Sequence, residues 1–416
     1  MITIYHTADL HFGIENYGKI DQKTGIHSRL LDFKESLDEC INQAIKEQID
    51  LFLLCGDAYK SAYPTPTQQK LLIQSLLKLH KAGIPVVIII GNHDHPLSFG
   101  KANALDILDY FPLDTFYVFS KPDSITITTK NGPIQIVGVP WPTRSTLITH
   151  DQHHFKDHKD IANYLSEKVG QLIQAFADKL NPNLPAILAG HLTVSSGVFS
   201  GSEKTAIFGT DPVFLPSQLA LSPFDYVALG HLHRYQNLNT NGTIPLIYSG
   251  SLERIDFGER KEEKGYCKIQ ISTDKTEKTC THEFVPVKTR PMVQFDITLE
   301  ANINQTDQII NSIKKQDITG AIIKITYHIP ENSKDTVDLY AIGQACKNAH
   351  YIASIIPVYK IAHKQKRTEL KIDMNFKTLL STYFDSKKEL SDEKKGLLIQ
   401  KAFNLYEKHE KDQTPD

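Results

Sequence analysis

The sequence has 416 residues, 40% of them hydrophobic, which is enough for a substantial core and suggests two or three domains. Lys+Arg 46 and Asp+Glu 48 give a formal net charge of -2, which excludes a global positive field for nucleic acid, so DNA binding would need local patches. The five cysteines form no CxxC pair and we see no signal peptide or membrane-spanning run, so we expect a cytoplasmic protein.

The first part of the chain predicts three buried strands separated by two helices. Apolar residues run together in the strands and recur at helical spacing between them. These elements are a strand around Ile2 and Ile4, a helix from Leu30 to Gln48, a strand from Asp50 to Cys55, a helix opened by Pro64 and Pro66 and stopped at Gly83, and a strand from Pro85 to Ile90. This order predicts an α/β fold with a largely parallel sheet.

The middle of the chain predicts a second set of strands. A helix from Lys101 to Phe111 comes first, followed by short strands with a hairpin turned at Asn131-Gly132. A further helix from about Ile161 to Lys179 leads into two apolar runs, Pro185 to Ala189 and Tyr226 to Leu229. Both runs are followed by Gly-His.

The last part of the chain changes its pattern at about Arg290. Strand, helix, strand, helix and strand follow one another there, which predicts a small separate α/β domain. Two final amphipathic helices are too small to bury their apolar faces alone, so they should dock on this chain or on a partner. We expect a main domain at residues 1–288, a small domain at 289–362, a basic linker at 363–374 and C-terminal helices at 375–416.

Five polar clusters follow predicted strands. A single Gly-His pair after a strand is usually only a turn, but five clusters at strand ends, where α/β sheets bind ligands, indicate one shared site. The clusters are Asp9-Leu10-His11, Gly56-Asp57, Gly91-Asn92-His93-Asp94, Gly190-His191 and Gly230-His231-Leu232-His233.

The side chains in these clusters are typical metal ligands. Two aspartates, one amide oxygen and four imidazoles suit Mn²⁺, Fe²⁺ or Zn²⁺, whereas Mg²⁺ and Ca²⁺ prefer oxygen ligands. Seven ligands are too many for one ion, and two ions roughly 3.5 to 4 Å apart can bind both oxygens of a phosphoester and activate a water.

Roles can be suggested for the residues around the third strand exit. Asp57 is the candidate bridge between the ions, and His93 is the candidate acid for the leaving oxygen. We expect Asp94 to orient a neighbouring imidazole, and His95 either to do the same or to cap a turn.

Together, the five clusters resemble the motifs of the calcineurin-like metallophosphoesterases. Within that superfamily the chain is similar to bacterial nuclease subunits that work with an SMC-like ATPase in double-strand-break repair. The closer similarity lies in Thr7 to Gly13, Pro64 to Thr67 and Gly250 to Glu259. The resemblance implies a four-layer fold of two mixed sheets flanked by helices, a small DNA-binding capping domain, and C-terminal helices that bind the ATPase.

The resemblance also assigns the ligands of two ions, which would be Mn²⁺, with Fe²⁺ or Zn²⁺ as alternatives. One ion would be held by Asp9, His11, Asp57 and His233, and the other by Asp57, Asn92, His191 and His231. His93 would act as the transition-state histidine, supported by Asp94. One departure is Lys60, which stands where many relatives have a histidine, so any role of that imidazole does not carry over.

The expected function is that of a DNA nuclease subunit. The resemblance implies 3'-5' exonuclease action on duplex ends, endonuclease cuts in single strands and hairpins, and a nucleoid-associated location in the cytoplasm. It also implies a homodimer formed near residues 62–81 and 101–111, assembled with the ATPase into a heterotetramer. The alternatives are a phosphoesterase of small phosphoesters or phosphoproteins, and a non-catalytic subunit that tethers DNA ends.

Overall fold

The structure is a computed structural model that describes residues 1–96, 101–110, 114–143, 158–201, 211–272, 278–331, 333–359, 376–385 and 391–412. The predicted basic linker at residues 363–374 lies outside these ranges. Among the described residues, we find no helix with the length and apolar character needed to span a membrane.

The elements follow one another in this chain order. The first part contains β1 (Ile2–Thr7), α1 (Ser28–Glu47), β2 (Leu51–Cys55), α2 (Pro66–Lys81), β3 (Val86–Ile89), β4 (Phe116–Phe119), β5 (Asp123–Thr129) and β6 (Gly132–Val139). The middle contains α3 (His158–Ala177), β7 (Ala186–His191), β8 (Thr193–Val194), β9 (Val213–Phe214), α4 (Pro216–Leu219), β10 (Tyr226–Gly230), β11 (Gln236–Asn237), β12 (Leu246–Tyr248), β13 (Gly265–Ile271) and β14 (Cys280–Pro286). The last part contains β15 (Met292–Thr298), α5 (Gln305–Ile313), β16 (Ile322–Ile329), α6 (Leu339–Ala345), β17 (Tyr351–Tyr359), α7 (Phe376–Asp385) and α8 (Asp392–Asp412).

Two six-stranded mixed sheets form the main body of the protein. One has the order β14-β13-β1-β2-β3-β4, and the other has the order β11-β12-β10-β7-β6-β5. A shared apolar core lies between the sheets, where Leu53 and Val87 of the first sheet join Ile187 and Ala228 of the second. A second core packs α1 and α2 on the first sheet, and a third packs α3 on the second. The predicted four-layer fold is therefore confirmed.

The pairing of the strands places the five polar clusters together. Strands β1, β2 and β3 are parallel neighbours in the first sheet, and β7 and β10 are parallel neighbours in the second. Their carboxyl ends therefore lie at one edge of each sheet, and this is the position where open α/β sheets bind ligands.

Helix α2 begins where the proline-rich stretch predicts. Thr65 Oγ1 accepts a hydrogen bond from the amide of Gln68 at 3.4 Å, and Gln68 Oε1 accepts one from the amide of Thr65 at 2.9 Å. This reciprocal cap, with Pro66 at the first helical position, satisfies backbone donors that the helix leaves free.

The predicted helix from Lys101 to Phe111 is wrong for its described part. Only a 3₁₀ turn, Asp106–Tyr110, forms there. Asn103 is the physical reason, because its Oδ1 accepts from the amides of Leu105 and Asp106 at 2.9 and 3.0 Å. A short polar side chain that binds the backbone in this way competes with helical hydrogen bonds.

A three-stranded parallel sheet, β15-β16-β17, carries the last α/β pattern, and α5 and α6 contribute to its core. Its contacts with the main body include hydrogen bonds of Arg290 and apolar packing of Ile322. Arg290 Nε donates to Asp32 Oδ2 at 2.6 Å, and the buried Arg29 donates to the same oxygen at 2.8 Å. Ile322 packs in a small apolar cluster with Phe257 from the segment before β13.

The two sheets approach each other so closely at Gly230 that there is no room for a side chain. A Cβ on this residue would lie 1.8 Å from the carbonyl oxygen of Cys55, on the facing sheet. We expect Gly230→Ala to destabilise the fold by about 3 kcal/mol, since backbone atoms would have to move. Chemical denaturation measures this, and an unchanged midpoint would contradict it.

Gly343 gives the matched control for that substitution. It lies in α6, and a Cβ there would meet nothing within 4 Å. Gly343→Ala should therefore raise stability by about 0.5 to 1 kcal/mol through a lower backbone entropy cost.

Candidate metal centre

Four of the predicted ligands have unusual backbone conformations. The φ angles are 56° at Asp9, 46° at His11, 52° at Asp57 and 105° at His231. Residues other than glycine rarely adopt a positive φ, because this backbone conformation costs about 1 to 3 kcal/mol per residue. Residues that do adopt it are concentrated at functional sites. These conformations turn the chain sharply at three strand exits.

Glycines before the polar residues allow the exits to pack closely. A Cβ on Gly91 would lie 2.1 Å from Asp57 Oδ1, and a Cβ on Gly56 would lie 2.1 Å from His191 Nδ1. Any larger residue would therefore displace a candidate ligand.

One group of ligands gathers around His11. Its Nε2 lies 3.0 Å from Nε2 of His233 and 3.6 Å from Asp57 Oδ2. Donor atoms of Asp9, His11 and His233 all lie within 4.8 Å of one another, and all three residues are buried. This side of the site contains the four residues predicted for the first ion.

A second group gathers around Asn92. Its Oδ1 lies 2.9 Å from His191 Nε2 and 3.2 Å from His231 Nδ1. His191 Nε2 is also 3.4 Å from Asp57 Oδ2, the same oxygen that faces His11. Asp57 therefore lies between the two groups, where a bridging ligand would be needed.

The residues present fit a pair of divalent cations. The Nε2 atoms of His11 and His233 face each other across 3.0 Å, and His191 Nε2 and His231 Nδ1 both lie within 3.2 Å of Asn92 Oδ1. Ligand atoms that converge in this way inside a buried site would be stabilised by a cation between them. The mixed imidazole, carboxylate and amide donors suit Mn²⁺, Fe²⁺ or Zn²⁺.

The pKa values show a site rich in opposing charges. Burial raises the pKa of Asp9 to about 6. Burial also acts to raise the pKa of Asp57, but the imidazole charges of His191 and His11 outweigh it and hold that pKa well below its usual range. Burial lowers the pKa of His231 to about 3. For His191, burial acts in the same direction, yet the charge of Asp57 outweighs it and raises the pKa to about 9.

Metal binding should therefore depend on pH. An imidazole must lose its proton to bind a cation, so the proton held by His191 has to leave. We expect Mn²⁺ affinity to rise with pH between 6 and 8, by up to about tenfold per unit. Titration of Mn²⁺ against the fluorescence of Trp141, the only tryptophan, would measure it. Equal affinities at both ends of this range would contradict the expectation.

His93 lies beside the metal ligands with its ring exposed. Its backbone amide donates to Asp57 Oδ1 at 2.9 Å, and its Nδ1 donates to the carbonyl oxygen of Lys60 at 2.9 Å. The ring centre lies 4.9 Å from that of His11. Nε2 is thus the nitrogen left for a substrate, and position 60 supports His93 through its backbone.

The hydrogen-bond partners of Asp94 differ from the predicted imidazole. It accepts hydrogen bonds from the amides of Ala58, Tyr59 and Gly91 at 2.9 to 3.1 Å. The expectation that it orients a neighbouring imidazole is wrong, because its oxygens are taken by backbone amides that link two strand exits. His95 Nδ1 pairs with the carbonyl oxygen of Pro96 at 2.8 Å, as in a turn.

Three residues at the site were not predicted from the sequence. The ring of Trp141, which follows β6, lies 4.9 Å from His231 and 6.0 Å from His191. Glu259 Oε1 accepts from His233 Nδ1 at 2.9 Å, and Lys264 Nζ lies 2.8 Å from Glu259 Oε2. Trp141 carries no local signal, whereas Glu259 ends the stretch from Gly250 that resembles the nuclease subunits.

Comparison with known proteins finds a family and several similar proteins. The calcineurin-like phosphoesterase family matches residues 2–235. The SbcD subunit of the nuclease SbcCD from Staphylococcus saprophyticus is 29% identical over 349 residues, covering 83% of this chain and 84% of that protein. The protein of the same name from Staphylococcus epidermidis is 31% identical over 291 residues, covering 68% and 69%. The crystal structure of a dimetal phosphatase from Danio rerio matches at 10% identity with a TM-score of 0.39, covering 67% of this chain and 98% of that one.

Proposed function

Because the chain belongs to the calcineurin-like phosphoesterase family and, within it, to the SbcD nuclease subunits, we propose that it cleaves DNA with two Mn²⁺ ions. The family makes it a metal-dependent hydrolase of phosphodiester bonds. The observation that carries the proposal is the position of Asp57, with one carboxylate oxygen facing both ligand groups. Fe²⁺ and Zn²⁺ are the alternative ions.

The seven predicted ligands act together in this proposal. Asp9, His11 and His233 would hold one ion, Asn92, His191 and His231 would hold the other, and Asp57 would serve as a ligand for both. Bound divalent ions would polarise the phosphate and lower the pKa of an attacking water.

His93 supplies the proton in the same proposal. Its Nδ1 donates to the carbonyl oxygen of Lys60, which fixes the ring and leaves Nε2 to protonate or stabilise the departing oxygen. Asp94 contributes by holding three backbone amides in place, so that Asn92 and Asp57 keep their positions.

We propose 3'-5' exonuclease activity on duplex ends and endonuclease activity on single strands and hairpins. Both staphylococcal relatives are named as nuclease subunits, which supports a nucleic-acid phosphodiester as substrate. The direct test compares linear duplex DNA with a small phosphodiester, using Mn²⁺-loaded protein. We expect degradation of the duplex, whereas turnover of the small ester alone would favour the rival phosphoesterase function. Specific DNA binding without any cleavage would favour the tethering function.

The division of the chain is part of the proposal. Residues 1–288 form the nuclease domain, 289–362 the capping domain that binds DNA, 363–374 the linker, and 375–416 the partner-binding helices. The separate core of β15, β16 and β17 supports a capping domain in the second range.

A homodimer would use the surface near residues 62–81 and 101–111. Tyr63 and Ile107 are 64% and 48% exposed, so each segment offers a large apolar side chain to a partner. Lys101 Nζ lies 5.7 Å from the ring centre of Tyr63, so the two segments adjoin. Assembly with an SbcC-type ATPase would give a heterotetramer, and we place it at the nucleoid in the cytoplasm.

The C-terminal helices are the proposed docking site for the ATPase. Helix α8 begins after Ser391, whose Oγ accepts from the amide of Lys394 at 3.4 Å and so caps the first turn. Helices α7 and α8 pack on each other, yet Leu397 and Leu405 of α8 are 65% and 64% exposed. A coiled-coil segment of an SMC-like ATPase could cover such a face.

Removal of the residues after Arg367 should leave basal DNA cleavage intact and abolish co-purification of the SbcC-type ATPase. The reason is that α7 and α8 contribute no ligand to the metal centre. The double substitution Leu397→Glu and Leu405→Glu should act in the same way, whereas Lys394→Ala, on the same helix, should keep the partner. A truncated chain that still binds the ATPase would contradict the docking site.

A further inference from the structure

We propose that Glu259 is a positioning residue for the metal ligand His233, and that Lys264 holds Glu259 in place. The inference rests on the proposed two-ion function and names residues outside the seven ligands.

Glu259 is buried and uses both carboxylate oxygens. Oε1 accepts from His233 Nδ1 at 2.9 Å, and Oε2 accepts from the amide of Ile255 at 3.0 Å. With Nδ1 committed in this way, Nε2 of His233 is directed at His11, where the first ion would bind. A carboxylate bound to the far nitrogen fixes the tautomer of a ligating histidine and makes it a stronger ligand.

Lys264 is buried as well, and its three donors are all used. Nζ lies 2.8 Å from Glu259 Oε2, 3.1 Å from Glu262 Oε2 and 2.9 Å from the carbonyl oxygen of His233. The same lysine therefore supports His233 twice, through Glu259 at its ring and directly at its backbone. Buried charges are costly unless they are paired, so this arrangement points to a specific task.

In the ligand group around Asn92, the histidine His191 is held by a backbone carbonyl instead of a carboxylate. His191 donates from Nδ1 to the backbone carbonyl oxygen of Cys55 at 2.9 Å. A change at Glu259 should therefore weaken binding of the ion near Asp9, His11 and His233, and leave the ion near Asn92 and His191 almost unaffected.

Calorimetric titration with Mn²⁺ tests the inference. Wild-type protein should bind two ions, and Glu259→Gln should bind one with unchanged affinity and the other about 10- to 100-fold more weakly. Glu253→Gln is the matched control, because Glu253 is equally buried in the same segment but bonds to the amides of Arg254 and Arg290. It should keep both affinities.

Two further measurements test the inference even if the Glu259→Gln variant misfolds. The double substitution Glu259→Gln and Lys264→Gln removes both buried charges together and should show the same selective weakening. In metal-free wild-type protein, ¹⁵N NMR of the histidine rings should show His233 protonated at Nδ1, and a proton on Nε2 alone would overturn the inference.

The outcomes separate this inference from the proposed function. Wild-type protein that binds no Mn²⁺ would refute the two-ion centre itself. Two ions in wild type and two equally tight ions in Glu259→Gln would refute only the role of Glu259. Equal weakening of both ions, or the same loss in Glu253→Gln, would also refute it.

Discussion

Asp57→Asn should reduce Mn²⁺-dependent DNA cleavage by about a thousandfold or more, which corresponds to about 4 kcal/mol of transition-state stabilisation. The carboxylate oxygen of Asp57 faces His11 at 3.6 Å and His191 at 3.4 Å, so it is placed to serve both ligand groups. An asparagine keeps the shape of the side chain but lacks the negative charge that two cations require. Calorimetry should accordingly show loss of at least one bound Mn²⁺.

Asp50 gives the control for this variant at the other end of the same strand. It is also buried, and it accepts from the amide of Thr3 at 2.8 Å and from Asn131 Nδ2 at 3.0 Å. Asp50→Asn should lower stability slightly and keep metal binding and cleavage. Cleavage that survives in Asp57→Asn would exclude Asp57 as the bridge.

His93→Leu should lose cleavage by about 10²- to 10⁴-fold while both Mn²⁺ ions remain bound. Its Nδ1 is engaged with Lys60 and its exposed ring has Nε2 left for the leaving oxygen, so the substitution removes a proton source without removing a ligand. Single-turnover cleavage of duplex DNA and calorimetry on the same preparation separate the two effects.

His80 provides the matched imidazole for that experiment. It pairs with Thr115 Oγ1 at 2.7 Å, at the end of α2 and away from the strand exits. His80→Leu should cleave at nearly the wild-type rate. A His93→Leu enzyme of normal rate, or one that loses its metal, would contradict the assigned role.

The pattern of apolar and polar residues along the sequence predicted those parts of the site that depend on local structure. Buried strands followed by polar residues identify the exits of β1, β2, β3, β7 and β10, and a glycine precedes the polar residue in the last four, because the sheet period and the turn are both local properties. Parallel pairing then brings Asp9, Asp57 and Asn92 to one edge, as expected for an α/β sheet.

Long-range packing decided the parts that the pattern missed. Glu259 meets His233 only because the segment between β12 and β13 folds back over the site. Trp141 reaches His231 from the end of β6, a strand whose exit carries no polar cluster. The wrongly predicted helix from Lys101 to Phe111 has a local cause instead. Asn103 Oδ1 accepts hydrogen bonds from backbone amides there, and the periodicity of apolar residues does not reveal such bonds.

The hydrogen-bond partners of Asp94 could not be predicted from the sequence either. Carboxylates near a metal site often support a ligating imidazole, but Asp94 instead accepts hydrogen bonds from three backbone amides. Which donor a buried carboxylate meets depends on the neighbouring strand exit, here Ala58 and Tyr59, and spacing along the chain does not determine that.

Anomalous diffraction from crystals of the protein grown with Mn²⁺ tests the two-ion centre most directly. We expect two peaks, one in contact with Asp9, His11 and His233 and the other with Asn92, His191 and His231, with Asp57 in contact with both. A single peak, or two peaks that do not share Asp57, would contradict the two-ion centre.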